Sequence, residues 1–261
     1  MQIQFYKYQG TGNDFILIDN RKGLISLDSE QIKFMCHRKF GIGADGLILL
    51  ELEPGADFKM VYFNSDGNES SMCGNGGRCI VSFAKSLGLC KEKTFFLAAD
   101  GLHEALIDEN EMVSLKMLDV NQIEIGTDYF YLNTGSPHYI KLVNDIENID
   151  VLLEGKAIRY SDRFKLEGTN VNFIQKKDEQ LFVRTYERGV ENETLSCGTG
   201  VTAAALVASI LGLSNNKNNC LVKTMGGNLE VSFEKVLEKN FYNIWLKGFA
   251  VMVYKSEIML P

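Results

Sequence analysis

Several features are scarce in this 261-residue chain, and each absence argues against a class of protein. The three prolines mark no linker, and no stretch is of low complexity. No apolar run approaches the roughly 20 residues of a transmembrane helix, and the first residues do not resemble a signal peptide. The net charge of -7 comes without a basic run, which argues against nucleic acid or a membrane as partner. A cytoplasmic location is expected.

Histidine is also scarce, and the cysteines lack the spacing of a metal site. The three histidines lie far apart in the sequence, and Cys73 and Cys79 form C-x5-C, which is not a usual zinc pattern. No metal is therefore expected. Six cysteines in a chain of this size without a signal peptide predict reduced thiols and not a disulfide framework. Four of them are interpreted as small buried hydrophobic residues: Cys36, Cys79, Cys90 and Cys220.

What the chain does contain is a motif that occurs twice. Residues 68–76 read N-E-S-S-M-C-G-N-G, and residues 192–200 read N-E-T-L-S-C-G-T-G. Their cysteines, Cys73 and Cys197, stand 197 − 73 = 124 positions apart, close to half the chain. The match continues without a gap, and nine of 22 positions are identical between 68–89 and 192–213. Chance would give about one or two. Two related halves are therefore predicted, each with one cysteine at an equivalent place.

Each copy of the motif also predicts the same local structure. An apolar run follows the Cys-Gly-x-Gly turn, from Cys79 to Leu87 and from Val201 to Leu211, and each run ends at Gly-Leu. Such runs predict buried helices, with each cysteine at or just before a helix N-terminus. A helix N-terminus binds anions and lowers the pKa of a thiol. The two motifs therefore predict two activated thiols and two carboxylate-binding sites.

The rest of the chain reads as short strands with few helices. Ser29 to Phe40 is predicted to be helical, and so is Asp150 to Arg159. The glycine-rich segment 41–46 precedes a strand. A dinucleotide-binding fingerprint follows a strand and opens a helix, so this segment does not match one. The boundary between the halves is expected near residue 118.

Two equivalent thiols suit inversion at a carbon that carries a hydrogen. A thiolate on one face removes the proton, and a thiol on the other face supplies one. The reverse reaction exchanges the roles, so both groups must be of the same type. Glycine N–H groups at the helix ends would hold the carboxylate and stabilise the enolate-like charge.

Seven motifs, in order along most of the chain, resemble those of the diaminopimelate epimerase family, which are amino-acid racemases independent of pyridoxal phosphate. They are G-T-G-N-D-F (10–15), G-I-G-A-D-G (41–46), F-N-S-D-G-N-E (63–69), M-C-G-N-G-G-R-C (72–79), G-S-P-H (135–138), N-V-N-F (170–173) and E-R-G-V-E-N-E-T-L-S-C-G-T-G (187–200). The resemblance implies interconversion of LL- and meso-diaminopimelate in lysine and peptidoglycan-precursor biosynthesis.

The implied fold is of mixed α/β (α+β) class, with two pseudo-symmetric domains. Each would be a curved, mainly antiparallel sheet around one central helix. The expected N-terminal domain comprises 1–117 plus 251–261, with the last strand returning to it, and the C-terminal domain comprises 118–250.

The resemblance also implies roles for named residues. Cys73 and Cys197 would be the acid/base pair, and His138 and Glu187 would tune their pKa values. The remaining residues would bind the substrate: Asn13, Asn64, Gly74, Asn75, Asn170, Glu187, Arg188, Gly198 and Thr199. From the residues alone, Arg188 offers a fork for a carboxylate and Glu187 an anion for an ammonium group.

The chain departs from the family pattern in three places. Gly-Ser-Pro-His replaces the usual Gly-Asn-Pro-His, which puts a contact by Ser136 in doubt, and the segment after Val190 is one residue longer. Gly46 stands where some members have a side-chain donor, so any contact there would come from the backbone.

Other interpretations remain open at this point. Asn64 and Asp66 also fit a role as turn formers, and His138 fits a structural role. Glu69 and Glu193 are interpreted as partners of helix N-termini. The competing functions are a thiol redox protein, an inactive binding protein of the same fold, and an isomerase of this fold without a cysteine pair. Redox pairs usually lie close together as C-x-x-C, which disfavours the first of these.

No cofactor is expected, because no lysine and phosphate-loop constellation for pyridoxal phosphate stands out and two thiols with helix ends offer a substitute. The expected partners are the small-molecule substrate, diaminopimelate, and a second copy of the chain in a homodimer.

Overall fold

The computed structural model describes residues 1–70 and 72–260, which divide into two compact units. Unit 1 comprises Met1–Leu115 and Gly248–Pro261, and unit 2 comprises Lys116–Lys247. The expected domain limits lay at 117/118 and 250/251. Ser71, within the first copy of the repeat, and Pro261, at the end of the expected segment 251–261, lie outside the described residues.

Unit 1 combines strands with two helices. In chain order its elements begin with β1 (Gln2–Gly10), β2 (Asn13–Asp19), α1 (Ser29–Cys36), β3 (Gly46–Glu51), β4 (Phe58–Asn64), α2 (Gly74–Ser86), β5 (Lys93–Ala98), β6 (Gly101–Ile107) and β7 (Met112–Lys116). The last strand, β17 (Val251–Met259), returns to this unit and pairs antiparallel with β1.

Unit 2 has the same kind of composition. Its elements are β8 (Ile123–Ile125), β9 (Phe130–Asn133), β10 (Pro137–Leu142), α3 (Val151–Arg159), β11 (Asn170–Lys177), β12 (Gln180–Glu187), β13 (Asn192–Thr194), α4 (Gly198–Ile210), β14 (Asn219–Thr224), β15 (Gly227–Leu237) and β16 (Asn240–Phe249).

The two sheets share one topology. In unit 1 the order is β17-β1-β2-β3-β4-β5-β6-β7, with parallel pairs only at β2–β3 and β4–β5 among the described strands. In unit 2 the order is β8-β9-β10-β11-β12-β14-β15-β16, with parallel pairs at β10–β11 and β12–β14 in the matching places. The predicted duplication, with two mainly antiparallel sheets, is confirmed.

Each sheet encloses the helix that follows its cysteine. α2 packs against β1, β2, β3, β4, β6 and β17, and α4 packs against β9, β10, β11, β12, β14 and β15. Both helices have 13 residues. α4 is buried over most of its length, as expected for an Ala/Leu/Val-rich helix enclosed by strands. The central helices are therefore the elements around which the two units fold.

The two helices also end alike. Gly88 and Gly212 follow the last turns with φ of +73° and +70°, a left-handed conformation that glycine adopts without a steric cost. The next N–H groups, of Leu89 and Leu213, donate to the carbonyls of Ala84 and Ala208 at 3.0 and 2.8 Å. The predicted Gly-Leu stops are thus Schellman-type helix ends.

The predicted helix from Ser29 to Phe40 is wrong at its C-terminal end, because α1 stops at Cys36. A capping box between Asp28 and Gln31 fixes its start. Its last carbonyls are satisfied by the following loop, where the N–H groups of 42 and 43 donate to Met35 and that of 44 donates to Cys36. This loop ends the helix by folding back onto its last turn, and the apolar pattern of the sequence does not reveal that return.

Candidate active site

Both cysteines occupy the N-cap position of a central helix. Cys73 precedes α2 with φ −95° and ψ 128°, and Cys197 precedes α4 with φ −116° and ψ 113°. Neither side chain forms the usual cap hydrogen bond. The next three N–H groups, on Gly-Asn-Gly in unit 1 and Gly-Thr-Gly in unit 2, have no acceptor within their helix by α-helical geometry. The extended backbone and the small residues leave this end able to bind an anion beside the sulfur.

In unit 1 the thiol of Cys73 lies within a network of amides. Its Sγ donates to Asn13 Oδ1 at 3.6 Å, and Asn75 Nδ2 donates to the same oxygen at 3.4 Å. Asn13 Nδ2 in turn donates to the carboxylate of Asp45. The structure thus brings three of the predicted site residues together: Cys73, Asn13 and Asn75.

Asn75 is held from behind by a buried arginine. Arg78 Nη2 donates to Asn75 Oδ1 and to Thr11 Oγ1, both at 2.9 Å, and Thr11 Oγ1 donates to Asn75 Oδ1 at 3.2 Å. Burial lowers the pKa of Arg78, which is fully enclosed. Its Nη1 reaches the carbonyl of Gly74, another predicted site residue, at 3.4 Å. A cation therefore stands directly behind the first turn of α2.

A second charged cluster holds the loop of Asn13 in place. Asp14 forms ion pairs with Lys7 and Arg38, both at 2.7 Å, and Arg38 also pairs with Asp45 at 2.6 Å. Burial raises the pKa of Asp14, but hydrogen bonds from Arg38 and Lys7 outweigh this and lower it to about 2. Asp45 is thereby fixed as the acceptor for Asn13.

Asn64 lies at the last position of β4, opposite Gly46. Its N–H donates to the carbonyl of Asn68 at 2.9 Å, and the N–H of Asn68 donates to Asp66 Oδ1 at 2.9 Å. These bonds close a turn. The turn-forming interpretation of Asn64 and Asp66 is therefore correct for the backbone, and contact of the Asn64 side chain with a substrate stays a prediction.

In unit 2 the cysteine lies at one end of a line of hydrogen bonds. Cys197 Sγ is 3.5 Å from Thr199 Oγ1, which is 2.9 Å from His138 Nε2. His138 Nδ1 is 3.1 Å from Asn172 Nδ2, and Asn172 Oδ1 accepts from Thr185 at 2.9 Å. The structure thus brings together three predicted site residues, Cys197, Thr199 and His138.

The imidazole of His138 is wholly enclosed. Burial, and secondarily the charge of Arg188, lowers its pKa to about 3, so the ring is neutral at physiological pH. The close approach of α4 to this ring depends on Gly200, where a Cβ would lie 2.4 Å from Asn172 Oδ1 and 3.3 Å from His138 Cε1. The second glycine of Cys-Gly-x-Gly is therefore a packing requirement in unit 2.

A second cluster in unit 2 surrounds Arg188. Asn170 Nδ2 donates to Ser136 Oγ at 2.9 Å, and Asn170 Oδ1 accepts from the N–H of Arg188 at 2.9 Å. The guanidinium reaches Ser136 Oγ at 3.4 Å and the carbonyl of Glu167 at 2.9 Å. Ser136, in doubt from the sequence, thus links Asn170 to Arg188. Gly198 lies in the first turn of α4, where its carbonyl accepts from Thr202 Oγ1 at 3.0 Å.

The acidic residues of segment 187–193 have separate partners. Glu187 Oε2 accepts from Thr194 Oγ1 at 2.8 Å. Glu191, in the segment with the extra residue, accepts from Tyr160 and Tyr186, both at 3.0 Å. Glu193 forms a bidentate pair with Arg184 at 2.6 and 2.8 Å. The interpretation of Glu193 as a partner of a helix N-terminus is therefore wrong, because the cross-strand arginine pairs with it.

Of the four other thiols, Cys36, Cys79 and Cys220 are buried as predicted, whereas Cys90 is only half-buried, so the prediction is wrong for Cys90. Burial raises the pKa of Cys36, Cys79 and Cys220 to about 12, and it also raises that of Cys90. Among the described residues no cluster of His, Cys, Asp and Glu could hold a metal ion. No helix in the described part of the chain has both the length and the apolar composition to cross a bilayer.

Several residues of these networks were not predicted from the sequence: Thr11, Asp45, Arg78, Asn172 and Thr185. A signal was available for Asn172, since Asn170 and Asn172 alternate with Val171 and Phe173 in a strand that is otherwise apolar. A buried amide in such a strand needs hydrogen-bonding partners, so it marks a polar site. Thr11 and Arg78 carried no comparable signal, because their partners are distant in sequence.

Comparison with known proteins agrees with the geometry. The family model for diaminopimelate epimerase matches residues 5–120 and 130–253. The diaminopimelate epimerase of Flavobacterium psychrophilum is 53% identical over 258 residues, with 98% of this chain and 100% of the relative covered. The one of Chlorobaculum tepidum is 44% identical over 259 residues, with 96% and 99% covered.

Solved structures show the same fold at low sequence identity. A Bacillus anthracis phenazine biosynthesis protein of the PhzF family has a TM-score of 0.76 at 16% identity, with 100% of both chains covered. A probable proline racemase from Agrobacterium radiobacter K84 has a TM-score of 0.69 at 15% identity, with 99% of this chain and 93% of that chain covered. The family match extends over both halves and includes both cysteine motifs, so the chain belongs to the diaminopimelate epimerase family of isomerases.

Proposed function

We propose that this chain interconverts LL- and meso-diaminopimelate by a two-base mechanism in which Cys73 and Cys197 act as base and acid. The observation that carries the proposal is the duplicated N-cap cysteine, because each unit sets one thiol at the N-terminus of a buried 13-residue helix. Two-base inversion needs two groups of the same kind in similar backbone settings.

The reaction exchanges one proton for another at a single carbon. One thiolate takes the α-proton, so that the C–H bond breaks and an S–H bond forms. The opposite thiol gives its proton to the other face of the carbon. The N–H groups of Gly74, Asn75, Gly198 and Thr199 would bind the α-carboxylate and stabilise the charge that develops on it. His138 acts on Cys197 through Thr199, and Glu187 adds a negative charge that would tune the thiol.

The other substrate-binding residues suit the distal amino-acid end. Arg188 presents a guanidinium fork whose position is fixed by Ser136 and the Glu167 carbonyl, and a fork pairs with a carboxylate through two parallel hydrogen bonds. Asn170 holds the backbone of Arg188, and Glu187 offers a charge for the ammonium group. Asn13 and Asn64 supply further amide contacts in the proposal.

The proposal includes the setting of the reaction. No pyridoxal phosphate takes part, the protein acts in the cytoplasm, and its product feeds lysine and peptidoglycan-precursor synthesis. Units 1 and 2 are its two domains, and a homodimer is its assembly. Hydroxylamine treatment followed by dialysis should leave activity intact, since no Schiff base would be present to remove.

The test is incubation with LL-diaminopimelate in deuterated water. We expect the meso isomer to form with deuterium at the inverted α-carbon, because the incoming proton derives from a thiol that exchanges with solvent. Chromatography on a chiral phase and mass spectrometry measure both. If neither the meso isomer nor α-deuterium accumulates at high enzyme concentration, the proposal fails.

Alanine and serine variants of the two cysteines distinguish a two-base mechanism from a one-base mechanism. Cys73→Ala and Cys197→Ala should each abolish epimerisation, because either direction needs both an acid and a base. Cys90→Ala is the matched control, since Cys90 is a half-buried thiol outside both networks, and it should keep near-normal activity. In Cys73→Ser and Cys197→Ser the remaining cysteine still removes the proton on its own face. The two variants should therefore favour exchange or elimination from opposite configurations, and the same preference in both would exclude the two-base mechanism.

A further inference from the structure

The direction of the hydrogen bonds at Cys197 follows from one backbone carbonyl. Asn172 Nδ2 lies 3.2 Å from the carbonyl oxygen of Tyr139, which can only accept. This orients the amide, and its second proton points to His138 Nδ1 at 3.1 Å. His138 Nδ1 is therefore an acceptor without a proton, and the proton of the neutral ring is on Nε2.

That tautomer determines what Thr199 does. His138 Nε2–H donates to Thr199 Oγ1 at 2.9 Å, so this oxygen is already an acceptor. The hydroxyl has one proton to give, and Cys197 Sγ lies 3.5 Å away, in position to accept it. When the hydroxyl donates to the sulfur, every bond from Asn172 to Cys197 runs in one direction and the sulfur is the acceptor at its end. A sulfur accepts hydrogen bonds best as a thiolate, because charged acceptors form the stronger bonds.

The network at Cys73 runs in the opposite direction. Arg78 can only donate, so Asn75 directs Oδ1 to it and Nδ2 to Asn13 Oδ1. The carboxylate of Asp45 can only accept, so it takes Asn13 Nδ2, which also leaves Asn13 Oδ1 directed at the sulfur. This oxygen has no proton to give. The 3.6 Å contact between it and Cys73 Sγ is a hydrogen bond only when the sulfur carries the proton.

We infer that the resting protein carries its thiolate on Cys197 and its catalytic proton on Cys73, with Thr199 as the positioning residue that donates to the thiolate. This inference deepens the proposed function and rests on it for the roles of the two sulfurs. The protein is then ready for the isomer whose α-proton faces Cys197. That turnover leaves a thiol on Cys197 and a thiolate on Cys73, and proton exchange with water restores the resting form.

The charged groups around the two sulfurs act in both directions. In unit 2 the ring of His138 is neutral and Arg188 is the cation that acts on it. Glu187, which accepts from Thr194, adds a negative charge that opposes a thiolate on Cys197. In unit 1 the carboxylate of Asp45 stands beyond Asn13 and opposes a negative sulfur. Arg78 acts in the other direction, because its charge attracts a negative sulfur on Cys73, while its hydrogen bonds go to Asn75 and Thr11. The geometry of donors and acceptors decides between these opposing charges.

The experiment is pH-dependent alkylation of the whole protein by iodoacetamide, with the product at each cysteine measured by peptide mass spectrometry at low conversion. Only the thiolate reacts, so the midpoint of the rate against pH reports the protonation of each sulfur. The midpoint is used and not the rate, because Cys197 is 8% exposed and reacts more slowly for steric reasons. We expect the Cys197 midpoint to lie at least about one pH unit below that of Cys73, as expected for a hydrogen bond to a charged acceptor.

Two substitutions of Thr199 test the positioning role. Thr199→Val removes the hydroxyl and should raise the Cys197 midpoint by about one pH unit while leaving that of Cys73 in place. Thr199→Ser keeps the hydroxyl and should restore the wild-type midpoint. Thr202→Val is the matched control, because Thr202 is a buried threonine on the same helix that bonds the carbonyl of Gly198. It should not move either midpoint.

The outcomes are separable from those for the proposed function, because alkylation needs no turnover. A Cys73 midpoint at or below that of Cys197 overturns the inference even if the protein epimerises diaminopimelate. An unmoved Cys197 midpoint in folded Thr199→Val, or a shift that Thr199→Ser shares, overturns the role of Thr199. If Thr199→Val does not fold, the inference is decided by the difference between the Cys73 and Cys197 midpoints in the wild type and by the Cys197 midpoint in Thr199→Ser. The expected midpoints in a protein without epimerase activity would support the assignment and refute the function alone.

Discussion

Replacing the second glycine of each Cys-Gly-x-Gly motif should have unequal effects in the two units. Gly76 and Gly200 are equivalent by the repeat, since each is the third residue of its helix. A Cβ at position 200 would lie 2.4 Å from Asn172 Oδ1 and 3.3 Å from His138 Cε1. A Cβ at position 76 would meet only side-chain carbon atoms, 3.2 to 3.5 Å away, and the nearest belongs to Ile48. Gly200→Ala should therefore be the more harmful change.

The change in the free energy of unfolding depends on which neighbouring atoms the new methyl group must displace. Alanine gains up to about 1 kcal/mol over glycine in a helix, and this gain applies to both sites. At position 200 the methyl group must displace a buried amide that bonds Thr185, Tyr139 and His138. Overpacking costs about 1–3 kcal/mol, and a buried polar group left without its partner costs about 1–3 kcal/mol more. Gly200→Ala should thus lose about 2–4 kcal/mol, and Gly76→Ala should stay within about 1 kcal/mol of wild type.

Urea denaturation followed by circular dichroism measures both variants, with the transition of each unit fitted separately if they do not coincide. For units of this size the expected difference in unfolding free energy between the two variants corresponds to roughly 5–10 °C in Tm. Gly200→Ala should also slow epimerisation, because it displaces the partner of His138. A Gly200→Ala protein as stable as Gly76→Ala would refute the close packing of α4 on Asn172.

Three further predictions use the charged and polar groups of the site. The folded-state pKa of Asp14 is about 2, below its ordinary value of 3.8, so its ionised form stabilises the fold above pH 3.8 and this stability is lost as pH falls toward 2. Asp14→Asn should therefore cost on the order of 2 kcal/mol in urea denaturation at pH 7 and far less near pH 2. Asn172→Asp should raise the pKa of His138 from about 3 by roughly 1–3 units, measured by NMR of the ring, because a carboxylate would then face Nδ1; an unchanged titration would contradict the contact. Arg188→Lys should raise KM for diaminopimelate about tenfold or more with a smaller change in kcat, since the fork is lost; an unchanged KM would remove Arg188 from the binding site.

The parts of the fold that were predictable are those set by local sequence. The repeat predicted two buried helices, their cysteine starts and their Gly-Leu ends, because caps, apolar runs and αL glycines act within a few residues. The end of α1 at Cys36 was not predictable, since a loop that returns to its last carbonyls decides it. The strands β8 and β13 were not predictable either, because each has only three residues, too few to show a period.

The residues of the candidate site also divide into those that the local sequence predicts and those whose role depends on distant partners. The cysteines and the first-turn residues lie in a contiguous motif, so spacing alone identified them as a group. Arg78 belongs to the same motif, yet its role depends on Thr11, 67 positions away. Asn172 acquires its role from a carbonyl on the neighbouring strand β10. Contacts of this kind arise from strand register and helix packing, which a single sequence does not specify.

The duplicated backbone and the unlike side chains serve different needs of the proposed reaction. A planar intermediate presents two similar faces, so two equivalent helix ends suit it. The protonation of the two sulfurs calls for a difference between the units, since one must carry a proton and the other must not. Two thiols in identical networks would have equal chances of holding that one proton. The residue two places after each cysteine breaks this symmetry: Asn75 is an amide fixed by Arg78, and Thr199 is a hydroxyl fixed by His138. The first network places the acceptor Asn13 Oδ1 at its sulfur, and the second places a hydroxyl there. In our inference these unlike side chains decide which sulfur carries the proton at rest, while turnover in the two directions still uses each cysteine as both acid and base.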